Sequence, residues 1–393
     1  MSRNGAPRFV PFAYGFRPFF LFALAYAFVA IVAWLLIRRF QELPLATLPP
    51  QMWHAHEMLF GFIGAAIAGF LLTAVPSWTG ARGFAGWPLA ALSAVWLAGR
   101  IAFAFGASLP VEAIAAIELL FLPCLAAFIA PPLLRSLNRN TFVLGVLTLL
   151  WLLDGLYLIA LAKGDIVHAT RAIYGGIDLV LILLTVIGGR IVPAFTANAL
   201  RSRGETVTVR STRALEVIVI GAMVVLAIVD FFRPSGWPVA AVAGIAAIAH
   251  VVRLSGWHIR RSFAQPIVWI LHAAYAWLPI GLALRCLYLL WGFDWAAHWL
   301  HALTMGAAST MIVAVITRAA LGHTGRALEV HRSVAIAYVL LLLATLVRVF
   351  GGVVLPYESS VWIAGGLWVV TFAVLLVRYV PILLLPRVDR RPG

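Results

Sequence analysis

Long apolar runs recur along the whole chain, and this feature excludes a soluble fold. Examples are residues 19–37, 60–75 and 334–347. An α-helix needs about twenty apolar residues to cross a bilayer, whereas a secretory signal gives only one short run at the N-terminus. The composition agrees, because 63% of the residues are hydrophobic and 11% are charged, against roughly 45–50% and 25% in soluble domains. The sequence therefore predicts an integral membrane protein whose first run is a span rather than a cleaved signal.

Breaks at proline, glycine and charge clusters divide the chain into about twelve transmembrane helices. The connections are short, so no stretch is long enough for a separate soluble domain. The expected fold is an all-α polytopic bundle, a single integral membrane domain over residues 1–393 with spans from about 16 to 385. The predicted spans are 16–38, 52–78, 87–106, 110–134, 140–163, 166–197, 212–232, 236–257, 265–292, 295–321, 332–354 and 358–385.

Basic residues in the connections predict the orientation, because cytoplasmic loops are enriched in Arg and Lys. The N-terminus, the even-numbered connections and the C-terminal tail carry Arg3, Arg8, Arg82, Arg135, Arg139, Arg201, Arg203, Arg210, Arg213, Arg260, Arg261, Arg326, Arg332, Arg387, Arg390 and Arg391. The opposite connections carry only Arg38, Arg39, Lys163 and Arg233. We therefore expect both termini to be cytoplasmic, which an even number of spans also requires.

The net charge of +15 does not indicate a nucleic-acid partner. The basic residues are scattered between apolar runs and form no solvated stripe or arm, so the lipid bilayer is the expected partner. Cys124 and Cys286 both lie in apolar segments and form no CxxC or CxxCH pattern. This disfavours a disulfide framework, an iron–sulfur site and a covalently attached c-type haem.

Four histidines fall near the predicted outer ends of the second and tenth spans. On a helix that turns about 100° per residue, His54 and Glu57 share a face and His56 points nearly opposite, so one motif can serve two sites. His298 and His301 are three residues apart and project on one face, the spacing at which helix-borne ligands converge. Histidines at the lipid head groups are the alternative interpretation, which suits His298 best.

A neutral imidazole is the usual axial ligand of haem b and also suits copper, and a helix bundle can hold either group. The predicted metal ligands near the periplasmic face are His54, His56, His301 and, as a weaker member, His298. Glu57 and Glu118 are embedded carboxylates and are candidate proton carriers in catalysis. A zinc protease is not indicated, because the HxHE order does not supply HExxH.

A second group of candidates lies toward the predicted cytoplasmic side. His272 is about seven residues inside the ninth span, where an unpaired imidazole is costly, so we predict that it ligates or contacts a cofactor or metal. Arg318, His323 and Arg326 close the tenth span with donors for a haem propionate or a quinone carbonyl, although Arg326 also fits a topology signal. His250 stands alone and receives no role.

The segment 188–200 combines Gly188, Gly189, Arg190 and Pro193 near the cytoplasmic end of the sixth span. Two glycines permit close helix approach, and a proline opens the hydrogen-bond ladder. A cofactor clamp that includes Arg190 and a kinked packing site explain the segment equally well. The other embedded charges also suit structural ion pairs; they are Arg100, Asp154, Arg171, Asp178, Arg285 and Arg348.

At these residues the chain resembles the NnrS family of haem- and copper-containing bacterial membrane proteins of nitric oxide stress and denitrification. The resemblance rests on segments 15–20, 53–61, 69–80, 188–200, 272–279, 301–304 and 322–326. It implies about twelve spans in a bacterial inner (cytoplasmic) membrane, haem, copper and a role in handling nitric oxide. The spacing of residues alone indicates only the spans and the clustered histidines.

Three functions remain open at the level of sequence. The leading hypothesis is a haem b and copper site that reduces nitric oxide with electrons from quinol and so lowers nitrosative stress. The second is a haem or copper protein that binds nitric oxide or protects metal pools without turnover. The third is a secondary transporter, but the two halves show no convincing repeat of the kind common in transporters.

Overall fold

The computed structural model describes residues 9–40, 49–205 and 211–389. These residues contain no strand, and twelve of their helices are long and apolar enough to cross a membrane, which confirms the predicted all-α bundle. We number the helices α1 (Phe16–Phe40), α2 (Pro50–Thr79), α3 (Trp87–Ala104), α4 (Val111–Arg135), α5 (Arg139–Lys163), α6 (Ile166–Arg201), α7 (Arg213–Phe232), α8 (Trp237–Ser255), α9 (Pro266–Trp291), α10 (Asp294–His323), α11 (Arg332–Val353) and α12 (Tyr357–Leu384).

Prolines and glycines determine where several helices begin and end. Pro50 and Pro266 occupy the first turns of α2 and α9, where the missing N–H has no intrahelical partner to lose. Gly164 and Gly292 end α5 and α9 in the left-handed conformation, with φ of 64° and 67°. Pro193 does not end α6, which continues to Arg201 rather than to the predicted residue 197.

Three of the described spans contain a π-helical segment, a feature that the sequence pattern does not indicate. The segments are Glu57–Ile63 in α2, Leu184–Gly188 in α6 and Ala302–Ser309 in α10. π-Helical turns are rare and often occur at functional sites, since the extra residue re-aims the side chains around it. All three lie within or beside the segments that carry the family resemblance.

The described residues form two compact units. The first unit is drawn from Met1–Gly176, Ala319–Ala327 and Phe372–Gly393, and the second from Ile177–Arg318 and Leu328–Thr371. The predicted single membrane domain stays a prediction. Each unit has its own buried polar group, and the two groups are described in turn below.

The arginine distribution yields a first testable prediction, on topology. Reporter fusions after Arg210 and Arg391 should read cytoplasmic, and fusions near Gly236 and Pro356 should read periplasmic, because basic loops stay on the cytoplasmic side. Arg210 and Arg391 lie outside the described residues, as do Arg3, Arg8 and Arg390. Reversal of either pair of reporters would exchange the membrane side assigned to every histidine.

Candidate functional site

A group of polar side chains from five helices meets in the interior of the first unit. We call it the Arg100 cluster; its members are Tyr26 of α1, His56 and Glu57 of α2, Arg100 of α3, Glu118 of α4 and Asp154 of α5. The five members other than Tyr26 are between 0% and 5% exposed. Buried ionisable groups at membrane depth are costly unless they are paired, so their concentration here marks a candidate functional site.

Arg100 links two of the three carboxylates. Its Nη1 donates to Glu57 Oε1 over 2.7 Å, and its Nη2 donates to Glu118 Oε1. The Tyr26 hydroxyl donates to the other oxygen of Glu57. Both oxygens of Glu57 are therefore occupied, whereas Glu118 Oε2 has no hydrogen-bond partner among the described residues.

His56 connects the other members of the cluster. Its Nδ1 lies 2.9 Å from Glu57 Oε1 and its Nε2 lies 3.0 Å from Asp154 Oδ1. The ring stacks against Phe103 at 4.1 Å and Tyr157 at 4.6 Å between centroids, which fixes its plane. Ligand atoms of His56, Glu118 and Asp154 lie within 4.8 Å of one another, and in the described part of the chain these three form the candidate metal-ligand group.

The predicted arrangement of the second-span motif is wrong in one respect. Glu57 faces the same cluster as His56, whereas His54 stacks on Trp34 of α1 with 4.7 Å between ring centroids. The reason is local, because the helix becomes π-helical at Glu57 and a long glutamate side chain can reach back to its neighbour. The residues gathered around His56 are carboxylates rather than a second histidine.

His298 and His301 belong to the second unit. Their ring centroids lie 6.4 Å apart, in agreement with the shared face, and His298 also stacks on Tyr357 at 5.8 Å. Both side chains are half-buried. Their metal-binding role, and a site shared with the histidines of α2, stay predictions.

Two fully buried histidines lie on neighbouring helices of the second unit. His272 of α9 and His250 of α8 are both 0% exposed. Nε2 of His272 lies 2.8 Å from the Thr196 hydroxyl, and Nδ1 of His250 lies 2.7 Å from the Tyr275 hydroxyl. The remaining nitrogen of each ring, Nδ1 of His272 and Nε2 of His250, is buried without a partner in the described residues. One nitrogen of each imidazole is therefore held by a hydroxyl group, and the other nitrogen is available to a ligand.

Arg253 explains the second of the two glycines of the sixth span, Gly189. Its guanidinium packs against Gly189, and its Nη1 donates to the Thr185 carbonyl over 2.8 Å and to the Tyr275 hydroxyl over 3.0 Å. Glu216 of α7 neutralises the charge. Arg190 is exposed. The buried cation beside this segment is therefore Arg253, while the proposed clamp role of Arg190 stays untested.

The candidate residues at the C-terminal end of α10 belong to different units. His323 and Arg326 are part of the first unit, and Arg318 is part of the second. In the first unit, His323 stacks on Tyr14 with 6.2 Å between centroids, and Arg326 Nη1 is buried without a partner among the described residues. In the second unit, the Arg318 guanidinium lies 4.1 Å from the centroid of the Phe195 ring. Arg318 therefore makes a cation–π contact with the Phe195 ring. Arg326 keeps one N–H donor that could bind an anionic or carbonyl group.

Arg285 represents the embedded charges that have a structural explanation. It pairs with Asp230 inside the second unit, and both side chains are at most 3% exposed. Its guanidinium also lies 4.4 Å from the centroid of the Trp299 ring. Pairing and cation–π contact account for this charge without a ligand.

Comparison with known proteins decides the family. The family model described as NnrS protein matches residues 10–387, which is nearly the whole chain. The chain belongs to the NnrS family. Membership makes it a metal-associated, multi-pass membrane protein of the nitric oxide response. No protein with a curated description matches the chain.

His250 is the residue of this NnrS-family chain that sequence reasoning missed. It lies five residues before Ser255, the last residue of α8, and is as deeply buried as His272. The depth that made His272 a candidate applies equally to His250, so the signal was present. Asp154 was recognised as an embedded charge, but its partner was not predictable. That partner is His56 Nε2, which is 98 residues away in the sequence.

Gly189 provides a second test, which concerns the second unit. Gly189→Ala should displace the Arg253 guanidinium, because an added Cβ would collide with it while the backbone φ of −63° accepts alanine. We expect a lower unfolding temperature of the detergent-solubilised protein. Gly221→Ala is the matched control, since a Cβ there meets nothing within 4 Å. Equal unfolding temperatures for the two variants would refute the packing role of Gly189.

Proposed function

We propose that this protein is a haem and copper membrane protein that handles nitric oxide, and that it reduces nitric oxide with electrons from quinol. The observation that carries the proposal is the buried pair His250 and His272, each with one ring nitrogen held by a hydroxyl and the other free. Metal-bound histidines are commonly oriented in this way through the nitrogen that does not bind the metal. Family membership supplies the link to nitric oxide.

The donor chemistry of this pair fits the implied groups. Imidazole binds haem iron and suits copper, and both free nitrogens are buried where water cannot satisfy them. His272 and His250, both of the second unit, are the residues that would hold such a group. A haem so bound would supply a redox-active iron at which nitric oxide can coordinate.

The remaining requirements are electrons, protons and a dry environment. Reduction of two nitric oxide molecules to nitrous oxide and water consumes two electrons and two protons, and oxidation of one quinol to quinone releases both. Thr196 and Tyr275 orient the histidines, and Trp257 packs on Tyr275 with 4.4 Å between centroids, which excludes water. Glu57 remains a proposed proton carrier, since it is buried within the Arg100 cluster.

A third prediction tests this function. Purified protein supplied with a quinol under anaerobic conditions should consume nitric oxide and release half a molecule of nitrous oxide for each molecule consumed. His272→Ala should reduce the rate by at least tenfold, because loss of a metal ligand removes the reacting centre. His168→Ala is the control, since His168 is half-exposed and pairs only locally with Asp165.

Other outcomes identify the alternatives. Stoichiometric loss of nitric oxide without nitrous oxide would indicate a binding protein that protects metal pools without turnover. Complete absence of haem and copper from folded, purified protein would remove both of these functions. Each readout is independent of the metal site considered next.

A further inference from the structure

We infer that His56, Glu118 and Asp154 of the Arg100 cluster bind one divalent cation of the Zn²⁺, Mn²⁺ or Fe²⁺ class, separate from any haem. The donors are one imidazole nitrogen and two carboxylate oxygens that lie within 4.8 Å of one another. This inference does not rest on the proposed nitric oxide chemistry.

The charge balance of the cluster favours a divalent ion. Among the described members, three carboxylates face one guanidinium, which leaves two negative charges when His56 is neutral. The side chains are between 0% and 5% exposed, so water cannot solvate this excess. Uncompensated charge at membrane depth costs several kcal/mol. One divalent cation would make the cluster neutral.

The histidine is arranged as a metal ligand with an outer partner. Histidines that bind metal usually donate their other ring N–H to a carboxylate or a carbonyl, which fixes the tautomer and the ring. His56 Nδ1 lies 2.9 Å from Glu57 Oε1, and Glu57 is therefore the outer partner. The other nitrogen, Nε2, lies 3.0 Å from Asp154 Oδ1. In this arrangement Nε2 is left as the lone-pair donor, and stacking on Phe103 and Tyr157 holds the ring in place.

Glu118 supplies the third donor. Arg100 engages its Oε1, and its Oε2 is buried without a partner among the described residues. A buried carboxylate oxygen that lacks a hydrogen bond is costly, and a cation would satisfy it. With Glu118 bound to a cation, proton transfer in this cluster falls to Glu57, whose oxygens meet Tyr26 and Arg100.

The donor set defines the class of ion. A single imidazole with two carboxylates suits borderline to hard divalent ions, and Zn²⁺ accepts both donor types at about 2.0–2.2 Å. Cu⁺ prefers thiolate or thioether donors, and neither free cysteine is part of this group. The donor set therefore disfavours Cu⁺ and fits a divalent ion.

The experiment measures metal content and Mn²⁺ binding in the full-length protein. Detergent-purified protein should contain one such ion per chain by elemental analysis, and chelator-stripped protein should bind one Mn²⁺ by electron paramagnetic resonance, with Zn²⁺ competing. His56→Ala and the nearly isosteric Asp154→Asn should each abolish binding. Glu57→Gln should weaken affinity by about 10–100-fold, as loss of an outer partner does.

His168→Ala is the control, since it changes a half-exposed histidine that pairs with Asp165 and has no predicted metal role. It should retain wild-type metal content. If folded wild-type protein bound neither Mn²⁺ nor Zn²⁺, the inference would be overturned. Bound protons would then have to neutralise the two excess negative charges of the cluster. Undiminished metal in both His56→Ala and Asp154→Asn would also overturn it. Haem absorption, read on the same samples, reports separately on the proposed function.

Discussion

Arg100→Ala is expected to destabilise the protein by about 3–5 kcal/mol, the usual cost of removing one partner from a buried ion pair. The variant would leave Glu57 and Glu118 without their shared cation in a site that is 0–5% exposed. We expect low recovery from the membrane or an unfolding temperature well below that of the wild type. A fluorescence-monitored thermal scan in detergent measures the difference.

Two further variants show whether the loss comes from unpaired charge. Arg233→Ala removes an exposed arginine and should change stability by no more than about 0.5 kcal/mol. Adding Glu118→Gln to Arg100→Ala should recover part of the loss, since one uncompensated carboxylate is then removed. If Arg100→Ala were as stable as Arg233→Ala, the Arg100 cluster would have no role in holding the first unit together.

His272→Ala is expected to remove the cofactor absorption of the purified protein while leaving membrane insertion intact. The side chain is fully buried, and its Nδ1 has no protein partner in the described residues, so a ligand is the group that would satisfy it. Absorption spectra of oxidised and reduced samples, scaled to protein, give the measurement. Added imidazole should restore part of the absorption by entering the space that the side chain leaves.

Imidazole rescue separates ligation from packing, because free imidazole would not repair a purely structural defect. Thr196→Val is the companion variant, since it removes the hydroxyl that lies 2.8 Å from His272 Nε2 and keeps a similar volume. It should retain absorption with a weaker cofactor affinity, by about 10–100-fold. Unchanged spectra in His272→Ala would remove this histidine from the candidate site.

The number of spans could be predicted because a bilayer imposes a length and a hydrophobicity on every crossing. The confirmed count of twelve among the described residues follows from that constraint. Helix ends were less predictable, as α6 illustrates. Its predicted end was residue 197, but the helix continues to Arg201.

The side-chain partners could not be predicted, since they depend on tertiary structure. Helical periodicity assigned His56 and Glu57 to different faces, but the π-helical segment that begins at Glu57 changes the geometry there. Similarly, Gly189 indicated close packing without naming Arg253, which lies 64 residues away in the sequence and fills the space. The embedded histidine and carboxylates were recognisable from depth alone, whereas their grouping was not.

The most direct test of the central claim is the reduced absorption spectrum of the purified full-length protein before and after addition of nitric oxide. We predict a haem b spectrum in the wild type that shifts when nitric oxide is added. We also expect loss of that spectrum in His250→Ala and in His272→Ala, with retention in His168→Ala. Folded wild-type protein without haem absorption, or haem that is unchanged in both His250→Ala and His272→Ala, would contradict the proposed haem site.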